Sequence, residues 1–459
     1  MPAMKIRISA LFMFFYLIFV TSCDVAKMSS GPTRSNNPSQ PKTSNNEVEI
    51  YNPVTGKYEK VKNSTVDNSE PKDSDFPKNS EEKPAIKKQK NKKNTHQIAI
   101  FLPFFSDKTT NDSKELFDKS DWATNFYAGA KLALKKLENE GKKLKISVFD
   151  TKASEVELQK LLLSPAAINS DVFIGPAAKN NVKIAADFAK KNNKIFISPY
   201  YPSDANAVVG NPNFIQVNPS LKTHCEAIMK NIRAKYRSNQ VVLICRNKAN
   251  ESGALSYFQE ENKKLGGDKL KELVTDDESA SLSSVDIAPY ILKGQTTVFI
   301  VPSWSSEGFV AALLRKIENA QKNNKVEVYG MPQWTTFTQI GYEIYENLNL
   351  HISSNIFIDN DNFAVKEFKK NYFSEYQTAP ENAAFIGYDV TYYFGDLLDK
   401  YGIGFPQYLT SEKIEMLHTF FDFRADRSGE IGESVDIQKY ENKSVQILEF
   451  KNMYFQKAQ

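Results

Sequence analysis

The chain has 459 residues, 41% of them hydrophobic and 12% aromatic, enough apolar material for a large core spread over roughly two to four lobes. Its 59 basic and 55 acidic residues leave a formal net charge of +4, too balanced for a nucleic-acid-binding surface. Three cysteines and four scattered histidines (His96, His224, His351 and His418), with no CxxC and no Cys/His cluster, argue against a zinc site.

At the start of the chain, Lys5 and Arg7 form a short basic region, Ile8 to Val20 is an almost unbroken apolar run, and Val20-Thr21-Ser22-Cys23 follows. A basic start, an apolar stretch and small residues before a cut site make a secretory signal. The run is shorter than the roughly 20 apolar residues of a transmembrane helix, and a strongly polar tract follows it. A cysteine directly after the small residues resembles the lipobox of bacterial lipoproteins. That resemblance implies a signal peptide of residues 1–22, cut before Cys23, with acyl chains on the thiol and new amino terminus of Cys23. Each buried methylene contributes roughly 0.8 kcal/mol, so several chains hold a protein on a bilayer. The expectation is a mature protein in a bacterial cell envelope, lipid-anchored and facing the periplasm, with the choice of inner or outer membrane open.

Residues 23–95 read as a disordered polar tether. Ser, Asn, Lys, Pro and Glu dominate, and such a stretch cannot bury enough apolar surface to offset its ordering entropy. One island, residues 47–61, alternates on both sides of a turn near Gly56 and reads as a small hairpin. The tether ends in a lysine run (Lys83, Lys87, Lys88, Lys90, Lys92 and Lys93), which fits a solvated linker or attraction to anionic lipid or wall polymer.

After His96 the pattern changes. Gln97–Leu102 is an apolar strand stopped by Pro103, Trp122–Glu140 has helical spacing ending at Gly141, and Leu144–Phe149 is the next strand. Glu155–Asn169 reads as helix, Asp171–Ile174 as strand, Val182–Lys191 as helix and Lys194–Ile197 as strand. The alternation then restarts. Phe214–Val217 precedes a helix over 221–236 and the strand Gln240–Cys245, followed by a helix at Ser252–Leu265 and a weaker strand near Leu273. A helix at Val285–Leu292, the strand Thr296–Val301, a helix at Gly308–Gln321 and the strand Val326–Tyr329 come next. The last part carries a strand at Asn355–Ile358, helices at 364–376 and 388–400, and strand-like stretches at Met416–Phe423 and Val445–Phe450. Short buried strands alternating with amphipathic helices predict α/β architecture with two doubly wound parallel-sheet lobes.

The order of elements resembles the type I periplasmic binding protein fold, the leucine/isoleucine/valine-binding family, in a lipoprotein form. Four stretches carry the likeness: Ile98–Phe104 with Phe126-Tyr-Ala-Gly-Ala-Lys-Leu-Ala133; Phe173-Ile-Gly-Pro176; Ile195-Phe-Ile-Ser-Pro199; and Phe385-Ile-Gly-Tyr-Asp389. The family implies two lobes joined by a three-crossing hinge. Lobe one would hold residues 97–219 and 345–415, and lobe two 220–344 and 416–459. The crossings would fall near Val217–Ser220, Met331–Thr338 and Met416–Phe423. Ligands in open α/β sheets sit beyond the carboxyl ends of the strands, here the cleft between lobes that close by hinge motion.

The strand ends supply the candidate ligand-binding residues Phe105, Ser106, Asp150, Thr151, Ala177, Lys179, Ser198, Tyr200, Tyr201, Arg246, Trp304 and Trp334. The amino-acid binders of the family place small hydroxyl residues after the third strand and Gly-Ala-Thr after the Ser-Pro. This chain has Ala177-Ala178-Lys179 and Tyr200-Tyr201-Pro202 there, so a free α-amino acid held in the usual way is not expected. The rings could stack on a sugar, base or peptide, or fill the cleft. Lys152, Lys179 and Arg246 fit either an anion site or surface charge. Cys225 and Cys245 fit either a disulfide, which the envelope permits, or two buried thiols.

No GxxxxGK[ST], HExxH or GxSxG motif occurs, Asp359–Asn362 lacks the rest of a calcium loop, and Asp422–Gly429 reads as a turn between strands. No catalysis, cofactor or metal is expected. Two functions fit. One is a solute-binding protein holding a small polar or amphipathic ligand, with a membrane permease of an ABC importer as partner. The other is an envelope regulatory lipoprotein acting on a cell-wall synthesis protein, since the activators of penicillin-binding proteins carry this fold with a degenerate site.

Overall fold

A computed structural model describes residues 47–52, 57–62, 95–108, 114–176, 178–199, 208, 210–276, 282–428 and 436–458, with the backbone alone at 47–52, 57–62, 114–116, 179, 180 and 428. The signal sequence, Cys23 and most of the tether lie outside these residues. The chain divides into a unit of residues 1–86 and a unit of residues 87–459. In the first, β1 (Glu47–Asn52) and β2 (Lys57–Lys62) pair antiparallel, with Glu47 opposite Lys62 and Asn52 opposite Lys57.

The larger unit opens with β3 (His96–Leu102), α1 (Lys114–Asn139), β4 (Leu144–Asp150), α2 (Glu155–Leu162), α3 (Pro165–Asn169), β5 (Val172–Ile174), α4 (Lys179–Lys191), β6 (Ile195–Ser198) and β7 (Phe214–Gln216). Residues 217–220 lead into α5 (Leu221–Lys235), β8 (Val241–Arg246), α6 (Ala249–Lys264), β9 (Lys271–Thr275), β10 (Thr297–Ile300), α7 (Glu307–Gln321), β11 (Val326–Gly330), α8 (Tyr342–Asn347) and β12 (Leu350–Ser354). Residues 355–362 lead back to α9 (Phe363–Tyr376), α10 (Asn382–Tyr401), β13 (Ile414–Glu415), β14 (Phe420–Phe421), β15 (Phe423–Ser428) and β16 (Asp436–Asn442). Residues 443–445 lead out again to β17 (Gln446–Lys451) and β18 (Tyr454–Lys457).

Two seven-stranded sheets result, in the orders β15-β16-β7-β6-β5-β3-β4 and β18-β17-β12-β11-β10-β8-β9. Each contains five parallel strands in the same order, β4-β3-β5-β6-β7 in one lobe and β9-β8-β10-β11-β12 in the other. Each is completed by two strands from the end of the chain. The order reverses at β3/β5 and at β8/β10, so each lobe has a crevice at the carboxyl ends of those strands. The buried strands are runs of Ile, Val, Phe and Leu because both faces are covered by helices.

The lobe boundaries differ from the sequence reading at the second and third crossings. Sheet two takes Leu350–Ser354, so the second crossing is 355–362, and Met331–Thr338 stays inside lobe two. The stretch reads poorly as a strand because His351, Ser353 and Ser354 are buried polar residues. His351 is settled by stacking on Tyr329 at 4.6 Å and by its Nδ1 contact with the Asn349 carbonyl at 2.8 Å. Residues 416–442 stay with lobe one, placing the third crossing at 443–445, and Phe423–Ser428 is strand rather than turn. The helix expected at 285–292 is a single 3-10 turn, Ala288–Tyr290. Pro289 brings no N–H, and the Asp286 carboxylate takes the Ala288 amide at 3.1 Å.

Lobe one is closed by α10 lying on α1. The two backbones touch: a Cβ at Gly129 would stand 1.8 Å from the Ala384 carbonyl oxygen, and one at Gly387 1.9 Å from that of Phe126. Cys225 and Cys245, on α5 and β8, are free, buried thiols in this structure. Burial raises both thiols, Cys245 to about 12.

Gly129→Ala and Gly387→Ala should each cost about 1–3 kcal/mol or more, because backbone cannot yield as a side chain can. Gly253→Ala, in α6 with open space around it, should be neutral or stabilising on propensity alone. Urea unfolding of the three variants measures the contrast.

Candidate functional site: the strand ends and the hinge

The loop after β3 is built around one carboxylate. Asp150, the last residue of β4, accepts the backbone N–H groups of Phe104 (2.9 Å), Phe105 (3.1 Å), Ser106 (2.7 Å) and Lys152 (3.0 Å), and the Ser106 hydroxyl at 2.8 Å. Burial alone would raise its carboxyl; the bonds from Ser106, Lys152 and Phe105 outweigh that and hold it below the ordinary range. Phe105, at φ 53°, adopts the left-handed conformation within this wrap. Asp150 thus shapes the cleft wall, and Lys152 pairs with Asp107 at 2.9 Å.

Neighbouring groups are less occupied. The Thr151 hydroxyl is fully buried and has no hydrogen-bond partner among the described residues. The same holds for both polar atoms of the Asn181 amide, in the first turn of α4. That 13-residue helix starts from Ala178, whose side chain makes no cap bond, while the Asn181 N–H turns back to the Ala178 carbonyl at 3.0 Å. Ser198, the last residue of β6, is fully buried, and its carbonyl accepts the Val217 N–H at 2.9 Å. Ala177, Tyr200, Tyr201 and the Lys179 side chain lie outside the described residues.

On lobe two, Arg246 ends β8 and is committed internally. Its Nε donates to Glu251 Oε1 at 3.1 Å, Nη2 donates to the same carboxylate and to Ser305 Oγ at 3.0 Å, and its backbone N–H reaches Glu251 Oε2 at 3.1 Å. Glu251 is fully buried and also accepts from Ser303 Oγ at 2.9 Å. The guanidinium stands 5.4 Å over the Phe309 ring. Trp334 is fully buried, its indole N–H on the Ser303 carbonyl at 2.7 Å, so it belongs to the core and not to the cleft. Trp304 is half-buried against the same core. The sequence pattern did not single out Glu251 or Asn181; each sits in the first helical turn after a strand end, the one signal that could have marked them.

The hinge borders this region. Glu441, near the end of β16 and almost fully buried, accepts the Ser220 N–H at 2.9 Å and the Thr223 hydroxyl at 2.6 Å. Lys443 lies 2.9 Å and Lys439 3.5 Å from its other oxygen. Burial opposes ionisation, but both lysines and these hydrogen bonds outweigh it and hold the carboxyl at about 2. Next to it, burial lowers His224 to about 4 against the opposing pull of Glu441. A cavity of about 700 Å³ lies where Trp122 and Asp121 of α1, Pro199, Asn218, Ile356 and Ala383 meet, beside the first two crossings.

Among the described residues no group of three His, Cys, Asp or Glu could hold a metal ion, and no helix is long and apolar enough to cross a membrane.

Two α/β lobes with the same order of five parallel strands, joined by three crossings, define the two-lobed binding-protein fold. The family model described as periplasmic binding protein matches residues 118–415, more than half of the chain, and the chain belongs to that family. No curated protein matches it in sequence. Among solved structures, the leucine complex of an ABC transporter substrate-binding protein from Desulfitobacterium hafniense is 14% identical, covering 79% of this chain and 100% of that one, with TM-score 0.52. The C-domain of LpoA from Haemophilus influenzae, described as a regulator of PBP1A, is 13% identical over 79% and 100%, with TM-score 0.53. Full-length LpoA from Haemophilus influenzae is 14% identical over 80% of this chain and 59% of that one, with TM-score 0.53. At these identities the likeness is one of fold.

Two outcomes are expected. Glu251→Leu, which strands a buried guanidinium, should cost about 3–5 kcal/mol, and the double variant Arg246→Met/Glu251→Leu should recover much of it, read by urea unfolding. Stability should also fall with acid. His224 has a depressed folded-state value, so its contribution is complete above pH 6.5 and is lost as pH drops from 6.5 towards 4, amounting to about 3 kcal/mol. Glu441 loses its share between pH 4.5 and 2. A flat profile between pH 7 and 4, or one unchanged in His224→Asn, would contradict this.

Proposed function

We propose that the chain is a lipid-anchored envelope binding protein that holds a small polar ligand between its lobes. Cys23 carries the anchor, residues 23–95 are the tether, and the ligand meets Thr151, Asn181 and Ser198 on lobe one. Phe105, Ser106 and Trp304 would belong to the surrounding wall. The observation that carries this reading is that the Thr151 hydroxyl after β4 and the Asn181 amide in the first turn of α4 are buried with no partner among the described residues. Buried polar groups are almost always hydrogen-bonded, so such a concentration at a cleft wall suits a ligand with both donors and acceptors. Delivery to an ABC importer is the corresponding role, as the name of the Desulfitobacterium hafniense protein indicates for that chain.

A second reading is favoured by a different observation. Asp150, Arg246 and Trp334 are all committed to internal partners. A cleft whose charged groups serve its own walls suits a regulatory lipoprotein that presents the lobes to a cell-wall synthesis protein, and LpoA offers the fold precedent.

A thermal-shift screen of the purified protein against amino acids, short peptides, sugars, nucleosides and wall fragments separates the two. A ligand at 100 times its dissociation constant adds roughly 2.7 kcal/mol, a rise of a few degrees. A response lost in Asn181→Leu and Thr151→Val supports the binding protein. A silent panel on a cooperatively melting protein shifts the assignment to the regulator.

A further inference from the structure

The lobes are joined by three chain segments, 217–220, 355–362 and 443–445, yet two of these are also joined to each other by side chains. Glu441 belongs to β16 of the first sheet. Ser220 and Thr223 belong to the start of α5, on lobe two; Ser220 caps that helix, its hydroxyl accepting the Thr223 N–H at 3.3 Å. The carboxylate therefore reaches across the lobe boundary and takes one backbone and one hydroxyl donor from the other side. Lys443, in the third crossing, bonds to both Glu441 (2.9 Å) and the Thr223 hydroxyl (3.1 Å). Lys439 joins the carboxylate to Gln216, the last residue of β7, through a 2.8 Å bond. Every group of the cluster lies within a few residues of crossing one or crossing three.

Crossing two is built differently. Residues 355–362 have no strand or helix, and their hydrogen bonds include Ser354 Oγ to the Ile356 carbonyl at 2.7 Å, the Asp361 amide to Asp359 at 2.9 Å, and the Phe357 amide to the His418 carbonyl at 2.8 Å. None of these is a buried ion pair.

We propose that the cluster of Glu441, Lys443, Lys439, Thr223 and Ser220 is a fixed pivot that welds crossings one and three and confines lobe motion to rotation about that point, with crossing two as the segment that bends. Short bonds across a boundary break when the two sides slide, whereas groups on a rotation axis keep their distances. The charges resist separation because a buried carboxylate stripped of its partners is costly. Hinge motions are absorbed by a few residues at element ends, which is where this cluster and residues 355–362 lie. The inference holds whether the cleft takes a ligand or a protein partner.

The test places spin labels at Glu155→Cys and Ala249→Cys, exposed positions at the strand-end rims of the two lobes, in the full-length protein. Pulsed dipolar spectroscopy then reads the distribution of inter-lobe distances. Glu441→Gln should at least double the width of that distribution while the protein still melts cooperatively. Thr223→Val, which removes the hydroxyl's bonds with Glu441 and Lys443 and keeps the ion pairs, should broaden it less. Glu412→Gln, which weakens a surface pair with Lys400, should leave it as in the parent. Unchanged widths in folded Glu441→Gln and Thr223→Val, or equal broadening in Glu412→Gln, would overturn the pivot. If Glu441→Gln does not fold, Thr223→Val decides alone: broadening supports the pivot and an unchanged width rejects it.

Discussion

The rest of lobe one depends on two helices meeting at their backbones. The chain leaves this lobe after Val217 and returns only at Phe363, so the returning α10 must find α1 across more than a hundred intervening residues. Gly129 and Gly387 make that contact close enough for each helix to rest on a carbonyl of the other. On the surface so formed, α9 packs Val365, Phe368 and Tyr372 against Ala128 and Phe385. On the other side, Phe394 and Tyr393 meet Phe405, Phe421 and Phe423 in a continuous aromatic layer. A discontinuous lobe has no covalent reason to stay together; here apolar burial and one tight crossing supply it.

Three buried or half-buried carboxylates then decide what the strand ends do. Asp150 draws the loop after β3 around itself, Glu251 fixes Arg246 and the serines after β10, and Glu441 binds the hinge. Each satisfies its desolvation cost with several donors, and each spends its charge within the fold.

Much of this architecture was legible in the sequence, and the failures have physical causes. Apolar runs such as Gln97–Leu102, Asp171–Ile174 and Thr296–Val301 announce strands because they are covered on both faces. Leu350–Ser354 escapes notice because buried His351 and Ser354 find local partners that no hydropathy pattern encodes. The stretches around Gly129 and Gly387 are recognisable as family-like, while the reason for their glycines is a contact between positions 129 and 384 that only the fold reveals. The roles of Asp150, Arg246 and Trp334 are set by partners out of sight of the sequence pattern. Glu251 is only five residues from Arg246, yet Glu441 is 218 residues from Thr223. Charge looks available in a sequence until its counter-charge is located in space.

The two thiols carry a last consequence. Cys225 and Cys245 both belong to lobe two, one on α5 and the other on β8, and both are sealed from solvent with the thiolate disfavoured. They remain inert towards oxidants and electrophiles while that lobe is intact. Their alkylation rate is therefore a built-in clock for the opening of one half of the molecule, blind to whatever the other half is doing.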